Sequence, residues 1–342
     1  MTAPAFHPDV AAPWFRARAP LGIDDTMYFA VIDPVSGQVR WESVPHREAD
    51  GIGGFLRLFR RWGVTRFAAP PARAQTVPGL WQSWRAARRA SQPVAPSAQW
   101  RPGGAGVALG RPPISVCWFS RAQTRALTEQ AQARQVSLAT LVFWALHETV
   151  MARLALSSGG SWFYPVSLRG ALRLPSEEHN HAGGFYVTLP RRLSAVALQQ
   201  HLRESLRAGR HWWLWHQAHL VSRLGQAVVN RIYRRLVSRH CHLGSFSVLG
   251  EWWLGTRGTL LPPQALLCAC GPGSPNHPVA NGMMITNGRL ALALRLDPVL
   301  GLDDAARDAC LAHWRDVLLA QCPPSENARQ TGPQKQGVTH SV

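Results

Sequence analysis

The stretch Pro45-His46-Arg47-Glu48-Ala49-Asp50-Gly51-Ile52-Gly53-Gly54 constrains the chain more than any other, because it sets an imidazole and a carboxylate four positions apart and closes the interval with glycine. Upstream, Val39, Trp41 and Ser43 alternate with period two. Downstream, Ile52, Phe55, Leu56 and Phe59 recur at helical spacing, which places the motif at a strand-to-helix junction. Such junctions turn side chains into clefts. A histidine of ordinary pKa, near ~6.5, is suited to take a proton from a hydroxyl or amine at neutral pH. An aspartate held by a cation would lock the loop. The competing reading is a surface histidine in an ordinary loop.

Three later stretches bear on that choice. They are Tyr164-Pro165-Val166-Ser167-Leu168-Arg169, Gly183-Gly184-Phe185-Tyr186-Val187-Thr188-Leu189, and Ser245-Phe246-Ser247-Val248-Leu249-Gly250. Residues 280–296 read as two short strands around Asn287-Gly288, followed by a helix over 303–319. The HxxxDG motif and these stretches, in this order over most of residues 25–320, resemble the chloramphenicol acetyltransferase-like superfamily, which includes condensation domains, wax-ester synthases and BAHD acyltransferases. The resemblance implies an α/β (α+β) fold: a two-lobed sandwich with mixed sheets flanked by helices. Only forty-five residues precede His46, fewer than family members usually place there, so the first lobe is expected to be shortened.

What the resemblance implies for chemistry is transfer of an acyl group from a thioester, acyl-CoA or acyl carrier protein, to a hydroxyl or amine, in lipid or secondary-metabolite biosynthesis. His46 would be the general base and no acyl-enzyme would form. Ser247, or Ser245 on the same face of one strand, would donate to the oxyanion, the competing reading being two small residues against a neighbouring strand. Asp50 would turn away and bind an arginine, Gly51 would allow the close turn into the helix, and Arg169 would fix the floor of the site or else be a surface residue at a strand end. Ser245, Gly184 and Tyr186 would touch substrate. No permanently bound cofactor is implied, the phosphopantetheine-linked donor being a substrate. Departures from the family pattern are Pro45 where many members carry a second histidine, Ser167 where the family has an aspartate, and the absence of the Asp-Phe-Gly-Trp-Gly stretch. Glu251-Trp252-Trp253 predicts an aromatic pocket floor.

Along the chain, residues 1–22 read as an irregular lead-in, 23–111 as a shortened N-terminal lobe, 112–322 as a C-terminal lobe and 323–342 as a disordered tail. Strands are expected at 27–32, 39–44, 64–69 and 114–119, and helices at 52–62, 81–90, 120–135 and 137–156. Gly103-Gly104-Ala105-Gly106 is linker, since no clear strand precedes it. Glu177-Glu178-His179-Asn180-His181 has poor spacing for tetrahedral zinc, and reads as a solvated loop with no metal.

Thirty-seven basic against nineteen acidic residues give a net charge of +18, nearly all from arginine. Such a surface suits phosphates, anionic lipid, nucleic acid or an acidic acyl carrier protein. Residues 198–240 carry leucines and tryptophans at helical intervals with arginines between, which predicts a pair of helices packed on the sheet. The rim of that pair would suit an anionic membrane surface. Two other function classes compete: a catalytically degenerate member acting as a binding or scaffold protein, and a basic nucleic-acid binder. No RNP-like, helix-turn-helix or zinc-finger pattern supports the latter. No secretory leader or apolar run of ~18 residues occurs, so the expected location is cytoplasmic, with peripheral attachment to the inner face of the membrane as an option. The six cysteines show no CxxC pairing and are expected to be reduced.

Overall fold

A computed structural model describes residues 6–72, 75–89, 97–103 and 112–322. The expected tail from residue 323, most of the glycine run at 103–106 and part of the linker lie outside them. In chain order the elements are α1 (Ala11–Arg16), a 3-10 turn (Ala19–Leu21), β1 (Thr26–Ile32), β2 (Val39–Pro45), α2 (Gly51–Trp62), β3 (Phe67–Ala68), α3 (Leu80–Arg89), β4 (Ser115–Trp118), α4 (Arg121–Ala133) and α5 (Leu138–Arg153). Then come β5 (Gly159–Ser167), β6 (Ala182–Pro190), α6 (Ala195–Arg207), α7 (Arg210–Ser222), α8 (Gln226–Arg239), β7 (Gly244–Ser245), β8 (Val248–Leu254), β9 (Leu266–Cys270), β10 (Val279–Thr286), β11 (Arg289–Leu296) and α9 (Asp304–Leu319).

Short-range chemistry sets most boundaries. Ser120 and Gln123 close a reciprocal capping box at the start of α4. Ser137, Ser194 and Asp303 each accept from a first-turn N–H and so open α5, α6 and α9. Asn287 and Gly288 both have positive φ, as a two-residue hairpin turn between twisted strands requires.

The eight-stranded sheet is mixed. Its path runs β3-β8-β10-β7-β5-β6, with β11 on the other edge of β10 and β4 beyond it. β10 and β11 are buried on both faces, which their side chains show by strict alternation. Leu290, Leu292, Leu294 and Leu296 enter one core with α5, α6 and α9; Ala291 and Ala293 enter the other with β1, β9 and α2. The second sheet is β2-β1-β9 and lies against the first, so the segment carrying the motif completes its own sheet with a strand from the far half of the chain. The molecule is thus mixed α/β, two sheets with flanking helices.

Several expectations need correction. The lead-in is structured: α1 packs near α7 and α8, with Trp14 Nε1 donating to the Ala218 carbonyl at 3.3 Å. Residues 195–239 form three helices, because Gly209 and Gly225 adopt positive φ and break the run twice. Trp212 and Trp215 are buried against Val10, Leu168 and Leu172, so they are core rather than interfacial. Strand β9 was not expected at all; its five residues are buried, and a short apolar run of that length has no period to betray it. Residues 64–69 yield only the two-residue β3.

Candidate active site

Asp50 is the N-cap of α2: its Oδ1 accepts from Gly53 N at 2.7 Å, the bond that starts the helix. Its other oxygen accepts from Arg169 Nη1 at 2.6 Å and from His181 N at 2.9 Å. Asp50 and Arg169 are both buried, so the pair is screened from water. Arg169 Nη2 also donates to the carbonyls of Glu177 (2.8 Å) and His179 (3.3 Å). One guanidinium therefore ties the motif loop to residues 177–181. Glycine lets these parts close. A Cβ on Gly53 would run into the Glu178 carbonyl, and one on Gly51 into the Leu249 side chain, two residues beyond Ser247.

Residues 177–181 are consequently not the solvated loop expected. His181 and Asn180 are buried, and Glu178 is paired with Arg57 and Arg60. Among the described residues no group of His, Cys, Asp and Glu side chains is arranged to hold a metal ion.

His46 is half-buried. Its Nδ1 lies 3.0 Å from the Ala49 carbonyl, which can only accept; with the proton on Nδ1 that bond forms and Nε2 keeps its lone pair. Asn180 Nδ2 lies 3.1 Å from Nδ1 and donates to the His46 carbonyl at 3.1 Å, bracing the loop from the other side. Burial pushes the imidazole pKa down to about 4; Asp50 opposes the shift and Arg18 adds to it. The ring is neutral at pH 7. Phe15 stacks on it, centroids 3.9 Å apart and planes 19° apart.

Arg18, from the same lead-in, is 6% exposed, and its Nε has no hydrogen-bond partner. Its Nη2 donates to the Gly273 carbonyl, and burial lowers its pKa despite the fields of Tyr233, Asp24 and Asp25. Phe15, Arg18, Asn180 and His181 were all missed from sequence. A polar cluster between two recognised strands was the available signal for Asn180 and His181; none marked Phe15 or Arg18.

The serines differ from expectation. Ser245 ends β7 and Ser247 falls in the gap before β8, so they do not share one strand face. Buried Asn281 holds this gap: its Oδ1 accepts from Ser247 N at 3.4 Å and its Nδ2 donates to the Ser245 carbonyl. Gly184 packs under the Phe163 ring, which would meet any Cβ placed there, so it offers no room to substrate. The Tyr186 hydroxyl lies 3.1 Å from His277 Nε2 and its ring stacks on His242 at 4.4 Å, inside a cluster in which Ser161 Oγ lies 2.5 Å from His242 Nδ1. Trp252 is buried against Phe55 and Phe59 while Trp253 is 54% exposed, so neither forms a pocket floor.

The arrangement defines an α/β protein of two packed sheets with a braced, neutral imidazole on the loop between strand and helix. No family model matches the chain and no curated protein matches it. Among solved structures it is similar to the epimerization domain from the third module of tyrocidine synthetase B, at 12% identity over 82% of this chain and 68% of that one, TM-score 0.48. It is also similar to the first condensation domain of the CDA synthetase, at 13% identity over 86% and 66%, TM-score 0.48. A third is the trichothecene 15-O-acetyltransferase from Fusarium sporotrichioides, at 14% identity over 71% and 52%, TM-score 0.42. The chain spans about two thirds of the first two and about half of the third. The likeness is one of fold.

Proposed function

We propose that the chain is an acyltransferase in which His46 removes a proton from an alcohol or amine as that acceptor attacks a thioester carbonyl. The observation that carries this reading is the His46 loop itself. The Ala49 carbonyl favours the tautomer that leaves Nε2 free, and the Asp50–Arg169 pair fixes the loop, so Asp50 serves geometry rather than proton transfer. In the reaction the acceptor's proton passes to Nε2, the acceptor's heteroatom bonds to the acyl carbon, and collapse of the tetrahedral oxyanion breaks the C–S bond and expels a thiolate. That thiolate takes the proton back from the imidazolium. Ser247 is assigned as oxyanion donor, supported by the packing of Leu249, two residues further on, against Gly51 at the start of α2. The donor is acyl-CoA or an acyl carrier protein, the latter drawn by the net charge of +18.

The test is a mass-spectrometric assay of acyl-CoA donors against a mixed panel of alcohols and amines. His46→Ala is expected to lower turnover by about 10²–10⁴-fold, and Ser247→Ala by roughly the ~2.7–4 kcal/mol typical of an oxyanion donor. Undiminished turnover in His46→Ala rules out the base. One observation favours a second reading, that the chain binds acyl thioesters without turning them over: Phe15 lies flat on the imidazole. Failure of both the natural chain and Phe15→Ala to transfer from any donor, with thioester binding retained, selects that reading.

A further inference from the structure

Helix α3 packs on α7 with its small residues inward. Ser83 is buried and Ala86 and Ala87 are half-buried, while Trp81, Trp84, Arg85 and Arg88, three and four residues apart, form the opposite stripe. Trp81 is 59% exposed. A helix that shows its tryptophans to water forgoes the apolar burial that holds most surface helices in place. We propose that this stripe of α3 lies on an anionic lipid surface, with its indoles at the level of the headgroups and its arginines on lipid phosphates.

The stripe is ordered before any partner arrives. Trp81 and Trp84 stack with centroids 4.2 Å apart and planes 19° apart. Arg85 lies over the Trp81 ring and Arg88 over the Trp84 ring, each 5.1 Å from the centroid. Each guanidinium is thus held beside an indole, and little rotamer freedom is left to lose on binding. The charge is of one sign. Residues 51–128 contain twelve arginines and no Asp or Glu, and among the described residues none of Arg85, Arg88 and Arg89 forms an ion pair. Exposed tryptophan beside unpaired arginine is the chemistry that anionic headgroups attract.

Other occupants fit less well. A second copy of the chain would set arginine against arginine. A ten-residue helix is about 15 Å long, and its outer stripe falls far short of the roughly 800 Å² that each side of a stable protein interface buries; a bilayer surface accepts a single stripe. A nucleobase needs an open ring face, whereas each indole here has the other indole and an arginine over it. The lipid-facing element is therefore α3 rather than the helices of residues 198–240, whose Trp212 and Trp215 are core. The assignment does not depend on acyl transfer at His46.

Sedimentation of the full chain with lipid vesicles tests it. Vesicles of equimolar phosphatidylcholine and phosphatidylglycerol should bind the protein, vesicles of phosphatidylcholine alone should not, and added salt should weaken the binding. Arg85→Gln and Arg88→Gln, made together, should lower the partition coefficient roughly thirtyfold, each arginine near an anionic surface being worth about fivefold. Trp81→Ser should lower it at least about tenfold, whereas Trp253→Ser, which removes a comparably exposed indole from the β3–β8 edge, should leave it unchanged. In the unmutated protein, anionic vesicles should slow deuterium uptake over residues 80–89, a readout that needs no substitution. His46→Ala should bind vesicles as the natural chain does, so loss of transfer and loss of this surface are separable. Absence of binding to the anionic vesicles, equal binding to both kinds, or equal losses in Trp81→Ser and Trp253→Ser would overturn the assignment. So would a single-stranded oligonucleotide or an acidic protein that binds more tightly than the vesicles and loses affinity in the same α3 variants.

Discussion

At the scale of the residue, the two oxygens of Asp50 accept from Gly53 N, His181 N and Arg169 Nη1, while the exposed Glu177 carboxylate lies 3.5 Å from Arg169 Nε. Removing one partner of a buried pair strands the other charge, which costs about 3–5 kcal/mol. Asp50→Ala and Arg169→Ala are each expected to lose that much in urea titrations, and the double variant less than the sum of the two. Arg18 behaves oppositely. Its Nε is buried without a partner, so Arg18→Met should hold or raise the melting temperature, a fall of several degrees being the contrary result. His46, Asp50 and Arg169 were legible in sequence because motif spacing states which groups must meet. Asn180, Phe15 and Arg18 were not, since each reaches the imidazole or its surroundings across a distance in sequence that no local pattern encodes.

At the scale of the element, α2 can start where it does only because Gly53 leaves space for the Glu178 carbonyl. Gly53→Ala must move backbone rather than a flexible side-chain end. We expect it to cost about 1–3 kcal/mol, as overpacking does, and more than Gly79→Ala, which meets nothing within 4 Å. Most strands and helices could be read from period and caps. The misreadings have specific causes: β9 is too short and too apolar to show a period, and three helices merged into two because Gly209 and Gly225 interrupt a run whose apolar spacing continues across them. Ser245 and Ser247 were placed on one strand face because alternation cannot reveal the gap that Asn281 holds open.

At the scale of the whole molecule, four imidazoles, those of His46, His147, His211 and His242, are held by burial at about 4. In the unfolded chain they titrate near ~6.5, so between these values the unfolded state binds more protons. Stability is then complete above about pH 6.5 and declines as the pH falls toward 4. Urea midpoints measured at neutrality and at about pH 5 should show the decline, and a midpoint flat across that window would contradict it. The two-sheet architecture was foreseeable from the order of motifs, whereas the use of the lead-in was not, because α1 and the residues after it carry no signal of their own. Their position has a chemical corollary. Since the ring lying on His46 comes from Phe15, ahead of the first strand, the imidazole's reactivity toward outside reagents is governed by a side chain from outside the motif. Diethyl pyrocarbonate, mapped by peptide mass spectrometry, should carbethoxylate His46 slowly in the natural chain and much faster in Phe15→Ala, while labelling of exposed histidines such as His240 stays the same.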